Sequence, residues 1–127
     1  MENLISSGST LTPKVSLDKE NNTFFIGGRS IPENAIDVYN PIIDWWKEYL
    51  NNPNPTTAID MNFEYINSSS MKQIARLIAL LDTIPTSKTT VSIHWHYNTD
   101  DTDSKMQAER LAKMVKFPIV LVADACK

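Results

Sequence analysis

Ala58-Ile59-Asp60-Met61-Asn62-Phe63-Glu64-Tyr65-Ile66 runs into Asn67-Ser68-Ser69-Ser70, and Met71-Lys72-Gln73-Ile74-Ala75-Arg76-Leu77-Ile78 follows at once. In the first segment Ile59, Met61, Phe63 and Tyr65 alternate with Asp60, Asn62 and Glu64. A period of two places the apolar set on one face of a strand and the polar set on the other. In the last segment Met71, Ile74, Ala75, Ile78 and Leu81 recur at helical spacing. Leu77 and Leu80 widen that stripe, and Pro85 lies just past its end, so the spacing predicts a deeply packed helix. A strand with one polar face feeding such a helix implies a sheet covered on one side only. A doubly wound sheet would bury both faces and read as continuous apolar runs.

The same grammar extends in both directions. Val91, Ile93, Trp95 and Tyr97 alternate with Ser92, His94, His96 and Asn98, giving a second two-faced strand. A helix is expected after Asp103-Ser104, with Ala108, Leu111, Ala112 and Val115 inward and Lys105, Glu109, Lys113 and Lys116 outward. Ile119 to Val122 reads as a last strand. Upstream, Lys14 to Leu17 and Thr23 to Ile26 form a hairpin about Asp18-Lys19-Glu20-Asn21-Asn22, closed by Gly27-Gly28. Ile42, Trp45, Trp46, Tyr49 and Leu50 make another buried stripe. That helix is expected to start near Asn40-Pro41, after a shorter helical turn at Pro32 to Val38, and to stop at Asn51 to Pro55. Residues 1–11 are polar and expected to be flexible; otherwise residues 1–127 read as one domain. The order is β-β-α-β-α-β-α-β. It implies an α/β fold in two layers, a mixed sheet of about five strands with helices mainly on one face.

Composition narrows the function. Twelve Lys and Arg against fifteen Asp and Glu leave a formal charge of −3, which argues against nucleic-acid binding through clustered positive charge. No apolar run approaches the ~20 residues that span a bilayer, and the first residues lack the pattern of a signal peptide. Cys126 is the one cysteine, so no internal disulfide forms. A cytoplasmic protein that binds no membrane and no nucleic acid is the expectation.

Among chemistry-bearing residues, His94 and His96 share a strand face and could ligate one metal with Asp100, Asp101 or Asp103. The plainer reading is two solvated histidines on an open sheet. Asp100-Asp101-Thr102-Asp103 lacks the glycine and terminal Glu of an EF-hand loop. Ser104 with Gln107 and Ser70 with Gln73 fit capping boxes, leaving Asp100 and Asp101 as a protein-contact patch. Ser68 and Ser69 then remain as exposed hydroxyls at a helix N-terminus, where a phosphate would meet free amides. No phosphate loop, Gly-x-Ser-x-Gly elbow or partnered nucleophile occurs, so no enzyme and no cofactor is expected.

Several blocks are distinctive together: Gly28-Arg29-Ser30-Ile31-Pro32-Glu33-Asn34-Ala35, Tyr39-Asn40-Pro41-Ile42 with Trp45, Phe63 to Ser70, Trp95-His96-Tyr97 and Asp100-Asp101. From about Thr12-Pro13 to Pro118 the chain resembles the SiaC family of bacterial regulatory phosphoproteins. The resemblance implies a STAS-like domain, similar to anti-sigma-factor antagonists, without catalysis of its own. It implies phosphorylation in the strand-to-helix loop by an anti-sigma-factor-like kinase and removal of the phosphate by a PP2C-type phosphatase. It further implies that the unphosphorylated form binds and activates a diguanylate cyclase, promoting biofilm growth. The family's threonine acceptor falls on Ser68, with Ser69 the second candidate. Arg29, Glu33, Asn34, Glu64, Tyr65, Asn67, Ser69, Asp100 and Asp101 are the partner-contacting positions that this reading selects. Where the family usually has Trp-Tyr-Tyr-Glu, this chain has Trp95-His96-Tyr97-Asn98.

Overall fold

Strands β3 (Thr23–Ser30), β4 (Thr56–Ile66), β5 (Thr90–Asn98) and β6 (Ile119–Asp124) lie side by side and parallel. Each is joined to the next by a helix: α1 (Ala35–Tyr49), α2 (Ser68–Leu81) and α3 (Thr102–Ala112). Strands β1 (Leu4–Ser6) and β2 (Lys14–Asp18) extend the sheet by antiparallel pairing, so the order is β1-β2-β3-β4-β5-β6. In this computed structural model residues 1–124 are described, and Cys126 lies outside them. Because the sheet grows in one direction, three right-handed crossovers put all three helices on the same face.

The register shows that face directly. Val15 pairs with Ile26, Ile26 with Met61, and Met61 with Trp95, and all four are buried. They meet Tyr39, Ile42, Ile43 and Trp46 of α1, Ile74, Leu77 and Ile78 of α2, and Ala108 and Leu111 of α3 in one core. Phe24 seats against Trp46 and Tyr49 at centroid distances of 5.2 Å each, and Trp45 stacks on Tyr49 at 5.3 Å. The other face carries Phe25, Asp60 and His94 in one row and Asn62 and His96 in the next, with no described helix over them.

Four expectations are corrected. The sheet has six strands among the described residues, because residues 1–11 are not left loose. Leu4 pairs with Leu17, Trp45 Nε1 donates to the Glu2 carbonyl at 2.9 Å, and Arg29 Nε donates to the Thr10 carbonyl at 3.0 Å. The turn at Pro32 to Val38 and the helix near Asn40-Pro41 are one helix, capped by Asn34 with Pro41 inside it. An interior proline costs ~3 kcal/mol. Here the buried residues on both sides of it, Ala35 and Tyr39 before, Ile42, Ile43, Trp45, Trp46 and Tyr49 after, hold the helix continuous. Gly27-Gly28 do not end β3. Gly27 lies inside it, where a Cβ would collide with the Asn62 carbonyl oxygen, and Gly28 takes φ +80°. Finally, Tyr65 leaves the apolar face. The register jumps from Gly28 opposite Phe63 to Arg29 opposite Tyr65, so Glu64 is an extra, bulged residue. A bulge breaks the period of two, and Tyr65 is 55% exposed.

Candidate functional site

Parallel strands bring their C-terminal ends, and the helix N-termini that follow, to one edge of the molecule. Arg29 near the end of β3, Glu33 and Asn34 before α1, Glu64 to Ser69 across the β4–α2 junction, and Asp100 and Asp101 before α3 all belong to that edge. The topology thus collects every residue singled out above except the His94–His96 pair, which lies further down the open face.

Three of those residues have a local structural task. Asn34, Asn67 and Asp101 are the N-caps of α1, α2 and α3, and their side chains accept from the amides of Asp37, Ser70 and Ser104 respectively. An Asx cap satisfies one of the orphan amides of a first helical turn. The capping boxes expected at Ser70 and Ser104 are therefore set one turn too late. Both serines are buried: Ser70 Oγ accepts from Ser30 Oγ at 2.8 Å, and Ser104 Oγ accepts from Trp95 Nε1 at 2.9 Å. Asp101, as a cap, is not a spare acid for a contact patch, whereas Asp100 is exposed in the turn.

With Asn67 as cap, Ser68 and Ser69 are the first two residues of α2, and both are exposed. The Asn67 amide donates to the Ser30 carbonyl at 2.9 Å, and its side chain donates to the Pro32 carbonyl at 3.3 Å. The serines thus stand on a fixed junction between β3, β4 and α2. Beside them, the bulge gathers a polar patch. Arg29 lies 4.6 Å from the Tyr65 ring centroid and 3.6 Å from the Glu64 carboxylate. The Glu64 side chain is 64% exposed.

Behind this edge is a group of hydroxyls that the sequence reading did not single out. Ser30 Oγ lies 2.7 Å from the phenol of Tyr39 as well as 2.8 Å from Ser70 Oγ, and all three are fully buried. Burial pushes the Tyr39 hydroxyl up to about 12, outweighing its serine hydrogen bonds. The signal was present: Ser70 falls on the stripe of Ile74, Leu77, Ile78 and Leu81, and Tyr39 on that of Ile42, Ile43 and Trp46.

His94 and His96 do share the open face, where His96 is engaged by carboxylates. His96 is held between two strands, Nε2 at 3.0 Å from Asp60 and Nδ1 at 3.4 Å from Asp124. Asp100 and Asp101 sit in the turn before α3 and are not part of this contact. Among the described residues no group of three or more His, Cys, Asp or Glu is placed to hold a metal ion.

A small α/β domain with one bare sheet face and an accessible hydroxyl pair at a strand-to-helix junction is the class these features define. Comparison with known proteins makes the assignment particular. The profile of the SiaC family regulatory phosphoprotein matches residues 6–124. An uncharacterized protein of Pseudomonas aeruginosa strain UCBPP-PA14 is 27% identical over 123 residues, which cover 97% of this chain and 98% of the relative. The crystal structure of apo-SiaC from Pseudomonas aeruginosa superposes with a TM-score of 0.88 at 27% identity, covering 97% of this chain and all of that one. A further structure, of the diguanylate cyclase SiaD in complex with its activator SiaC from the same organism, gives 0.87 at 26% identity over 95% of this chain and 99% of that one. The chain belongs to the SiaC family of regulatory phosphoproteins. No described helix is long and apolar enough to cross a membrane.

Proposed function

We propose that this protein is a non-enzymatic phospho-switch of a partner-switching pathway, with Ser68 as its acceptor. In the unphosphorylated form it binds and activates a diguanylate cyclase, and phosphorylation blocks that interface. The observation that carries the reading is Ser68 itself: an exposed hydroxyl on the first residue of α2, directly after the Asn67 cap and four positions after Glu64, the partner of Arg29. The similar SiaC bound to a diguanylate cyclase supports the choice of partner. The family resemblance supports an anti-sigma-factor-like kinase, a PP2C-type phosphatase and a cytoplasmic setting.

In the forward step Ser68 Oγ attacks the γ-phosphorus of a nucleoside triphosphate. A P–O bond to serine forms, the β–γ bridging bond breaks, the nucleoside diphosphate leaves, and a base on the kinase takes the hydroxyl proton. The phosphatase returns the hydroxyl and inorganic phosphate by adding water. The switch needs no fold change in this chain. A partner covering the junction would have to desolvate a dianion, and Glu64 would repel it further. Arg29, Glu33, Tyr65, Ser69 and Asp100 supply the remaining contact surface at the same edge, while Asn34, Asn67 and Asp101 shape it as caps.

The test is a kinase reaction read by mass spectrometry, followed by pull-down and cyclase assay with the cyclase of the same host. Phosphate is expected on Ser68, and the unmodified protein and Ser68→Ala are expected to bind and activate. Ser68→Asp carries one charge and no phosphate geometry, so it is expected to block in part. Phosphate outside residues 68–70, or binding indifferent to phosphorylation, overturns the proposal.

A further inference from the structure

The acceptor turn is tied to the core by a cluster of three buried hydroxyls. Ser70, the third residue of α2, receives a hydrogen bond from Ser30 at the end of β3. A serine hydroxyl has a single proton to give. Ser30 gives its proton to Ser70, so the 2.7 Å contact with Tyr39 of α1 is the phenol donating to Ser30. The direction of the chain is therefore Tyr39 to Ser30 to Ser70. Each member is buried, so a lost partner is not replaced by water at no cost.

This anchoring acts with the buried stripe of Ile74, Leu77, Ile78 and Leu81 to hold the rotation of α2, and it does so at the point where the exposed serines begin. Successive helical residues turn by about 100°. With Ser70 held inward, Ser68 lies about 200° back and so points away from the core, nearly opposite the anchor. Ser69 lies about 100° from it, along the flank. Burial agrees: Ser70 is fully buried while Ser68 and Ser69 are exposed.

A second chain of the same chemistry lies at the other end of the sheet. The Tyr49 phenol, Thr57 Oγ1 and Thr89 Oγ1 are linked at 2.7 Å and 2.7 Å and are equally buried. It joins the end of α1 to the starts of β4 and β5, away from the serines. Comparison of the two chains separates an effect on position from an effect on stability.

We infer that the Tyr39–Ser30–Ser70 relay determines which serine is modified: it withdraws Ser70 and presents Ser68, in preference to Ser69, to the kinase. The inference rests on the reading of Ser68 as acceptor. Tyr39 and Ser30 are positioning residues in it, touching neither nucleotide nor the reacting oxygen.

The experiment uses the full chain, magnesium ATP and a purified anti-sigma-factor-type kinase from the same host. Tandem mass spectrometry reads the phosphate at Ser68, Ser69 and Ser70 in the unaltered chain, Tyr39→Phe, Ser30→Ala, Ser30→Thr and Tyr49→Phe. The ratio of Ser68 to Ser69 phosphate is expected to fall about five- to tenfold in Tyr39→Phe and Ser30→Ala, the effect of one hydrogen bond. Ser30→Thr, which keeps the hydroxyl, is expected to restore it, and Tyr49→Phe to leave it unchanged. Tyr39→Phe removes a single oxygen, so it carries the test if Ser30→Ala does not fold. A ratio unmoved in Tyr39→Phe, or moved equally in Tyr49→Phe, overturns the relay while leaving Ser68 as acceptor. Absence of phosphate from residues 68–70 in the unaltered chain overturns the acceptor reading and the relay with it.

Discussion

The guanidinium of Arg29 lies 4.6 Å from the ring centroid of Tyr65, directly across the point where the register between β3 and β4 slips by one residue. The two facts have one cause. Glu64 is the extra residue, and its insertion turns Tyr65 out of the core face and under Arg29. The bulge thus converts the end of a core strand into a surface patch next to the first turn of α2.

That geometry separates stability from function at position 64. The Arg29–Glu64 pair is 3.6 Å long, with Arg29 half-buried and Glu64 exposed, and such surface pairs contribute ~0–1 kcal/mol. Glu64→Ala is therefore expected to change unfolding free energy by less than ~1 kcal/mol. Trp45 is 8% exposed, stacks on Tyr49 and bonds the Glu2 carbonyl, so Trp45→Ala is expected to cost ~3–5 kcal/mol. Denaturant melts of the two variants give the order, and the reverse order would overturn the assigned strand register.

Alternation and helical spacing made most of this architecture legible, because both report which face is buried. They reported the two-faced strands at Ile59 to Phe63 and at Val91 to Trp95, and the stripes of all three helices. What they missed has physical reasons. Strand β1 holds three residues, too few for a period to show. Pro41 argued for a boundary that tertiary packing overrides. Tyr65 fitted the apolar alternation, and a bulge depends on the partner strand, with no trace in its own spacing. At the junction, the exposed serines were legible from chemistry alone. The caps were misplaced because Ser70 and Ser104 are good capping residues by type, while an Asx three positions earlier in each case wins the role.

The cap assignment has a direct consequence for Asn67. Its side chain accepts from the Ser70 amide at 2.9 Å, and loss of an Asx cap costs ~0.5–2 kcal/mol. Asn67→Ala is expected to lose about 1 kcal/mol and Asn67→Asp to lose less. Ser69→Ala, which removes no described hydrogen bond, serves as the control in urea titration. Equal stability of Asn67→Ala and Ser69→Ala would place the cap elsewhere.

Tyr39 gives the protein an alkaline limit. Its hydroxyl is raised from 10.0 to about 12 by burial, the largest cause. Folding then favours the protonated phenol. Its contribution is intact below pH 10, where the unfolded chain also keeps the proton, and is lost as pH rises from about 10 through about 12. The loss amounts to about 2 kcal/mol at the upper end. Tyr39→Phe is expected to flatten this part of the stability profile, measured by denaturant melts at successive pH. An unchanged alkaline slope in the variant would show that another group carries it.

The open sheet face is expected to bind zinc neither stoichiometrically nor tightly. Both ring nitrogens of His96 already face carboxylates, at 3.0 Å from Asp60 and 3.4 Å from Asp124. A metal would have to break both contacts and find further ligands. Calorimetric titration with zinc is expected to show no one-to-one isotherm of micromolar affinity. Such an isotherm, abolished by His96→Ala, would establish a metal site on this face.

Phosphorylation at Ser68 is expected to leave the fold intact. The modification adds about −1.5 to −2 charges at neutral pH, a large change for a chain whose formal charge is −3. The charge arrives at the first residue of α2, however, where free amides and the positive end of the helix dipole lie. A negative group there gains ~0.3–1 kcal/mol, up to ~2 when partly buried. Glu64 nearby opposes the gain, but it is well exposed and paired with Arg29, so solvent screens it. The two effects leave a net change of at most about 1 kcal/mol, or a few degrees in Tm for a domain of this size. Scanning calorimetry of the phosphorylated and unmodified protein is expected to give melting temperatures within that range, with unchanged far-ultraviolet circular dichroism. Partner binding is expected to fall over the same modification, because the cost there is desolvation of a dianion under a docked surface. A phosphorylated form that melts much earlier or loses helix would mean that the switch acts by unfolding the junction, and would overturn the interface mechanism.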